Sequence, residues 1–298
     1  MKILYSRLMI GQDYLADCVF HGLRQIPGVE VVDAPRNWAM YKSSFEPVGM
    51  NKLSDIYGRG FTIWGLLDDP EIDRTNIEEK IKNHYFDLVI FSRVDHHSPY
   101  KDLVLQYYKK HEIVSLDGAD DTVMHTELIP TTTYFKRELI QDTADVKPIS
   151  FSIPAEKCIT KFPNKTQAWS YVQPTVGCRY IYNTESDYYA DYAKSLFGLT
   201  RKKGGWDCMR HYEIMANRCI PYFEDLAHAP PTLMKTLPKD LLLHIKGRVD
   251  QMGIEYFLPD NPGWLEYQHL EQTVHNHFIK YLTTQAVAQS LLDSVIQP

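Results

Sequence analysis

Residues 197–223 constrain the architecture of this chain more than any other stretch. A short apolar run, Phe197-Gly198-Leu199-Thr200, leads into a cationic glycine loop, Arg201-Lys202-Lys203-Gly204-Gly205-Trp206. A helical pattern over 207–217 follows, and then a second apolar run at 219–223. A glycine loop that opens a helix leaves backbone N–H groups unpaired and concentrates the positive end of the helix dipole there. With three cations just before the glycines, the loop is suited to hold phosphates. In the helix, Met209, Tyr212, Met215 and Ala216 form an apolar stripe, while Asp207, Arg210 and Glu213 lie on another side. Arg210 and Glu213 are three apart and share a face. An arginine can grip a diphosphate, and a carboxylate beyond it can accept hydrogen bonds from ribose hydroxyls. The segment therefore reads as a seat for a nucleotide diphosphate. Its candidate residues are Thr200, Arg201, Lys202, Lys203, Gly204, Gly205, Trp206, Arg210 and Glu213. Trp206 either stacks on a base or sugar or plugs the loop, and the plug is favoured. The competing reading of Arg210 and Glu213 is a surface ion pair, worth less than about 1 kcal/mol.

The first half alternates strand and helix signals. Strands are expected at 2–6, 29–32, 61–67, 86–91 and 112–116. Helices are expected at 13–26, 77–83 and 101–109, the first with Leu15, Val19, Leu23 and Ile26 at helical spacing. Strands separated by helices imply a parallel, doubly wound sheet. The second half predicts strands at 147–153, 178–182, 197–199 and 219–223. It predicts helices at 185–195, 207–217 and 239–251, and a long last helix at 266–294. A length of 298 residues accommodates two domains. The polar, proline-containing stretch 141–165 is the expected crossover, dividing the chain into 1–142 and 143–298.

Bulk properties exclude several classes. The net charge of −6 disfavours a general nucleic-acid binder. Five scattered cysteines without Cys-x-x-Cys spacing argue against a disulfide framework or zinc site. The amino terminus runs directly into a strand pattern, with no signal-peptide core and no apolar run that would span a bilayer. A soluble, cytoplasmic protein is expected, with peripheral membrane contact left open. No Gly-x-Gly-x-x-Gly fingerprint, Walker loop or Gly-x-Ser-x-Gly elbow is present, which disfavours nicotinamide dehydrogenases, P-loop kinases and α/β-hydrolases.

Loops at the carboxyl ends of strands in open α/β sheets face the ligand. They supply further candidates. Asp13 is either a helix cap or a base facing the cleft. Asp95 and His96 follow the strongest strand, and either could serve as a general base. Arg59 sits between two glycines. Asp117 opens an acidic cluster that is either a turn and helix cap, the preferred reading, or a seat for a divalent cation. Lys136 or Arg137 is a candidate cation for the cleft. No metal ligand set is assigned.

Arg210-x-x-Glu213 on a helix, followed by Cys219-Ile220-Pro221, resembles the nucleotide-sugar-binding segment of GT-B glycosyltransferases, and the exostosin-type family in particular. The run Arg210-His211-Tyr212-Glu213-Ile214-Met215-Ala216 is also similar to a helix of the phage DNA glucosyltransferases. The match covers residues 197–225 and departs at Arg218, where the family pattern has glycine. A positive φ there would be costly for arginine. The resemblance implies two Rossmann-like α/β domains facing each other across a cleft, with the C-terminal helix crossing back onto the first. It implies transfer of a hexose or pentose from a nucleotide diphosphate sugar to an acceptor hydroxyl of a glycan or polysaccharide, without metal or cofactor. Glu213 would hold the donor ribose and Arg210 the diphosphate, with Asp13 or Asp95 as base. Alternatives are a glycosyltransferase acting on hydroxymethylated DNA bases and a non-catalytic nucleotide-sugar-binding module. A periplasmic-type binding protein is disfavoured by the missing signal peptide.

Overall fold

Two parallel sheets organise the chain. The computed structural model describes residues 1–7, 13–45, 61–94, 98–172 and 181–296. The first sheet contains β1 (Lys2–Ser6), β2 (Glu30–Ala34), β3 (Leu88–Phe91), β4 (Ile113–Asp117), β5 (Thr133–Lys136) and β6 (Val146–Pro148). Its order is β2-β1-β3-β4-β5-β6, and every neighbouring pair is parallel. Helix α1 (Tyr14–Arg24) links β1 to β2, α2 (Ile77–Lys82) precedes β3, and α3 (Lys101–Tyr107) precedes β4. Successive strand side chains point to opposite faces. Ile3 and Tyr5 therefore join Leu15, Val19 and Leu23 of α1, whereas Leu4, Val89 and Phe91 join Ile77 and Ile81 of α2 and Val104 of α3. With both faces covered, these strands read as continuous apolar runs.

The second sheet contains β7 (Gln167–Trp169), β8 (Ser195–Thr200) and β9 (Ile220–Phe223) in that order, again all parallel. Helix α4 (Glu185–Lys194) leads into β8, and α5 (Met209–Ala216) connects β8 to β9. Helices α6 (Lys239–Met252) and α7 (Trp264–Tyr281) pack around this sheet, and α8 (Thr284–Ile296) returns to lie on α1. The contact between α1 and α8 is close enough to require glycine. A Cβ on Gly22 would lie 2.0 Å from the Thr284 carbonyl oxygen. The architecture is thus α/β, with two parallel-sheet lobes and a C-terminal helix crossing back. One apolar cluster runs from Ile3 and Leu15 through Phe151 to Phe197 and Ile220, so the lobes share core. Each fully buried Leu, Ile or Phe in it contributes about 1.5–3 kcal/mol.

Several elements differ from expectation. Residues 61–67 form turns rather than a strand, because Thr62 and Gly65 adopt φ of 79° and 68°. A lone parallel bridge from Tyr41 to Leu67 is all the sheet character they carry. The expected terminal helix is two helices. The break at Leu282–Thr283 is used to pair Ile153, which donates to Leu282 O at 3.1 Å and accepts from Thr284 N at 2.9 Å. Strands β5 and β7 were not anticipated. The expected strand at 147–153 shortens to β6, which belongs to the first sheet, so the division at 142/143 falls between two strands of one sheet. The expected strand at 178–182 lies mainly outside the described residues, and Ile181 and Tyr182 are not in a strand.

Arg218 does have a positive φ, 54°. Its guanidinium compensates for that conformation by a buried two-point pairing with Glu271 at 2.9 and 2.7 Å, and by donation to Thr160 O at 3.0 Å. Lys165 donates to the carbonyls of Ala193, Ser195 and Arg218, tying the entries of β8 and β9 together. No helix among the described residues is long and apolar enough to cross a membrane.

Candidate active site in the cleft between the lobes

Helix α5 begins at Met209 with Cys208 as its N-cap, and no side chain caps it. Residues His211 to Ala216 are all buried, so this is an interior helix rather than a surface one. Arg210 and Glu213 face a cavity of about 290 Å³, at the lower end of the range for small-molecule sites. The first lobe and the segment after it contribute Tyr14, Phe61, Asp120 and Phe151 to its wall. The second lobe contributes Lys203, Gly204, Gly205, Tyr182 and Tyr188. The surface ion-pair reading of Arg210 and Glu213 is therefore replaced by a buried arrangement.

Glu213 is 8% exposed and accepts from Thr62 Oγ1 at 2.5 Å and from the Tyr188 hydroxyl at 2.6 Å. Burial raises its pKa above the usual carboxylate value, while these two hydrogen bonds and the charge of Arg210 oppose the rise. Arg210 is half-buried, unlike the buried Arg137 and Arg218. Its Nε and Nη1 are both shielded from solvent and have no hydrogen-bond partner among the described residues. Two buried guanidinium donors left unmet are costly, and a cavity beside them is where a ligand would meet them.

The glycine loop is latched from the first lobe. Glu138 accepts from Trp206 N at 3.0 Å and Asp207 N at 2.9 Å. Gly205 has no room for a side chain, since a Cβ would stand 2.5 Å from Glu138 Oε1. Arg137, fully buried, donates to Glu138 at 3.0 Å and Gly118 O at 3.1 Å, and also to Asp120 and the Asp207 carbonyl. Its guanidinium lies 4.5 Å from the Phe151 ring centroid. Asp207 accepts from Phe151 N at 2.9 Å and the Tyr212 hydroxyl at 2.6 Å. Burial pushes its carboxyl up to about 6, against the pull of Arg137. The amides of residues 206 and 207 are thus already committed to a carboxylate. A phosphate entering the cavity would meet Lys203, Gly204, Gly205 and the start of α5 instead.

No protein-family model matches the chain, and none of the curated proteins matches its sequence. Among solved structures, the chain is similar to an alpha-glucosyltransferase in complex with UDP-glucose and DNA containing an abasic site. The TM-score is 0.45 at 9% identity, and the match covers 99% of each chain.

The remaining candidates divide cleanly. Lys203, Gly204 and Gly205 line the cavity with Arg210 and Glu213, but Thr200, Arg201, Lys202 and Trp206 do not. Thr200 is fully buried, with its hydroxyl 2.8 Å from His211 Nδ1. The Lys202 amide turns to Asp225, and its ammonium sits 5.3 Å from the Trp206 ring centroid. Trp206 packs against the main apolar cluster. Asp13 caps α1 by accepting from Ala16 N at 3.0 Å, and its other oxygen lies 3.8 Å from Arg93 Nε. It adjoins Tyr14 of the cavity wall, and burial raises its pKa. Asp117 and Lys136 come together, but against each other. They pair at 2.9 Å, both buried, with Tyr134 donating to Asp117 at 2.6 Å, so neither is presented to the cleft. Arg59, Asp95 and His96 lie outside the described residues. Among the described residues, no group of three His, Cys, Asp or Glu is placed to hold a metal ion.

Sequence alone points to none of Thr62, Tyr188 and Glu138 for this geometry, whereas Arg137, the alternative to Lys136 as a cleft cation, lies buried in the latch. The available signals were faint: a tyrosine-rich helix around residue 188, and the charged run Lys136-Arg137-Glu138 after Tyr134 and Phe135.

Proposed function

We propose that this chain transfers a glycosyl group from a nucleotide diphosphate sugar to an acceptor hydroxyl. The observation that carries this reading is the pair of buried Arg210 donors, unmet among the described residues, that open on the same cavity as the Glu213 carboxylate. Glu213 would accept hydrogen bonds from the donor ribose. Arg210 would hold the diphosphate, with Lys203 and the amides at the start of α5 adding positive potential. Breaking the sugar–phosphate bond leaves negative charge on the diphosphate while the sugar becomes oxocarbenium-like. Arg210 would face that developing charge with donors shielded from solvent, where a fixed cation is worth more than in water. In this scheme the cation does the charge neutralisation that other transferases assign to a metal. The aromatic walls formed by Tyr14, Phe61, Tyr182 and Tyr188 offer faces for the base or the sugar.

Asp13 is the described carboxylate we assign as base for the acceptor hydroxyl, from its position beside Tyr14 at the cavity wall. The net charge of −6 favours a glycan over duplex DNA as acceptor. The two lobes would divide the labour, the first taking the acceptor and the second the donor.

The test is direct titration with UDP and GDP. Arg210→Ala and Glu213→Ala should each weaken binding of the preferred nucleotide by about 1–3 kcal/mol, the scale of a lost hydrogen bond to a charged group. Parent-like affinity in both variants would remove the basis of the assignment. Slow release of free sugar from a bound donor, in the absence of acceptor, separates a transferase from a module that only binds.

A further inference from the structure

We infer that Thr62 is a cross-lobe positioning residue, which reaches out of the first lobe and aims the Glu213 carboxylate so that the ribose seat is complete only when the lobes are together. This rests on the reading of Glu213 as the ribose acceptor. Thr62 lies in the turn 61–67, which is tied to the first lobe by Gly65 N donating to Ala39 O and Leu67 N to Met40 O, both at 2.9 Å. Its described side-chain partners, in contrast, all come from α4 and α5. Thr62 Oγ1 donates to Glu213 Oε1 at 2.5 Å and lies 2.5 Å from the Tyr189 hydroxyl. A threonine hydroxyl has one proton, so Tyr189 must be the donor in that second contact. The Thr62 amide donates to Glu185 Oε1 at 2.5 Å, and Glu185 is in turn held by Lys157 at 2.6 Å.

Thr62 is 1% exposed and has a φ of 79°. A β-branched residue in that region is a true outlier. Such a conformation persists only where the surroundings over-determine it, and here Glu213, Tyr189 and Glu185 together hold the residue. Tyr188 holds the other oxygen of Glu213 at 2.6 Å. Each oxygen therefore receives one protein hydrogen bond and keeps one lone pair for a ligand hydroxyl. The carboxylate plane is fixed by one group from each lobe. A ribose that needs this fixed plane would then bind the assembled cleft better than separated lobes and would favour closure by that difference.

The experiment compares UDP with 2′,3′-dideoxy-UDP, which lacks both ribose hydroxyls, on the full chain. Thr62→Val keeps the shape of the side chain and deletes the hydroxyl. UDP affinity should fall about tenfold, as for a weakened hydrogen bond to a charged group, while dideoxy-UDP affinity stays at the parent value. Thr62→Ser should restore the discrimination. Tighter UDP binding by Thr62→Val would mean that Thr62 merely occupies the seat, and this would overturn the inference, as would unchanged UDP binding or equal weakening of both nucleotides. If the parent itself binds the two nucleotides alike, the ribose role of Glu213 fails and the inference goes with it. Should Thr62→Val not fold, Tyr189→Phe removes only the hydroxyl that steadies Thr62. It should show the same selective loss at smaller size, and parent-like discrimination there overturns the inference.

Discussion

Replacing Arg210 by methionine should leave the fold at least as stable as the parent while removing nucleotide diphosphate affinity. The reasoning starts from the unmet donors. Nε and Nη1 of Arg210 are out of solvent and without a partner among the described residues. An unsatisfied buried polar group costs about 1–3 kcal/mol. Methionine fills a similar volume along the stem and carries no donor to leave unmet. Against this, the Glu213 carboxylate loses a nearby positive charge that favours its ionised form. The balance is a change of roughly 0 to +2 kcal/mol in stability, and about 2–4 °C in Tm for each kcal/mol in a chain approaching this size. Binding moves the other way. Losing charge-assisted hydrogen bonds to a diphosphate costs about 1.5–3 kcal/mol, roughly ten- to a hundred-fold in Kd. Thermal unfolding with and without saturating UDP reads both quantities on one instrument. A structural arginine would give the reverse pattern. If R210M lowers Tm by several degrees and UDP still raises it as in the parent, the guanidinium is holding the fold together and the reasoning is wrong.

Two further outcomes follow from buried pairs elsewhere. Glu271→Gln leaves the Arg218 charge uncompensated at a residue already in a left-handed conformation, so urea unfolding should show a loss of about 3–5 kcal/mol; a loss under about 1 kcal/mol would contradict the compensation argued for Arg218. His211, buried between Thr200 and the Trp206 carbonyl, has its pKa pushed down by desolvation to about 3. The unfolded chain therefore binds a proton there more readily than the folded one. The stability due to neutral His211 is complete above pH ~6.5 and is lost as pH falls toward about 3. Asp207, with its folded pKa raised to about 6, has the opposite sign, favouring the fold below its unfolded pKa and losing that contribution as pH rises through about 6. The comparison is therefore made as a difference: His211→Gln should flatten the acid slope of Tm relative to the parent between pH 6.5 and 3, and identical slopes would contradict it.

Much of the fold could be read from apolar periodicity because the first-lobe strands are covered on both faces. Val89, Ile90 and Phe91 announce β3 without reference to anything distant. β5 was hidden because its last residue is Lys136, whose charge is accommodated only by Asp117 on the neighbouring strand. The turn at 61–67 was hidden for a similar reason. Phe61, Ile63 and Trp64 look like strand residues, and the positive φ of Thr62 depends on contacts with α4 and α5 far along the chain. The break between α7 and α8 did leave a trace, since the Thr283 hydroxyl accepts from Ala286 N at 3.2 Å as a helix cap would. At the site, the spacing of Arg210 and Glu213 sufficed to pair them on one face. Of the loop cations only Lys203 lines the cavity, because which side of a glycine loop faces a cavity depends on what latches its other side. Here Glu138 and Arg137 do so, from about seventy residues earlier in the chain.

The most direct measurement is a crystal structure of the protein soaked with UDP. The account predicts phosphate oxygens within hydrogen-bond distance of Arg210 Nε and Nη1, and the ribose hydroxyls on Glu213. A nucleotide bound outside this cleft, or one within it that leaves both Arg210 nitrogens without a partner, would contradict it.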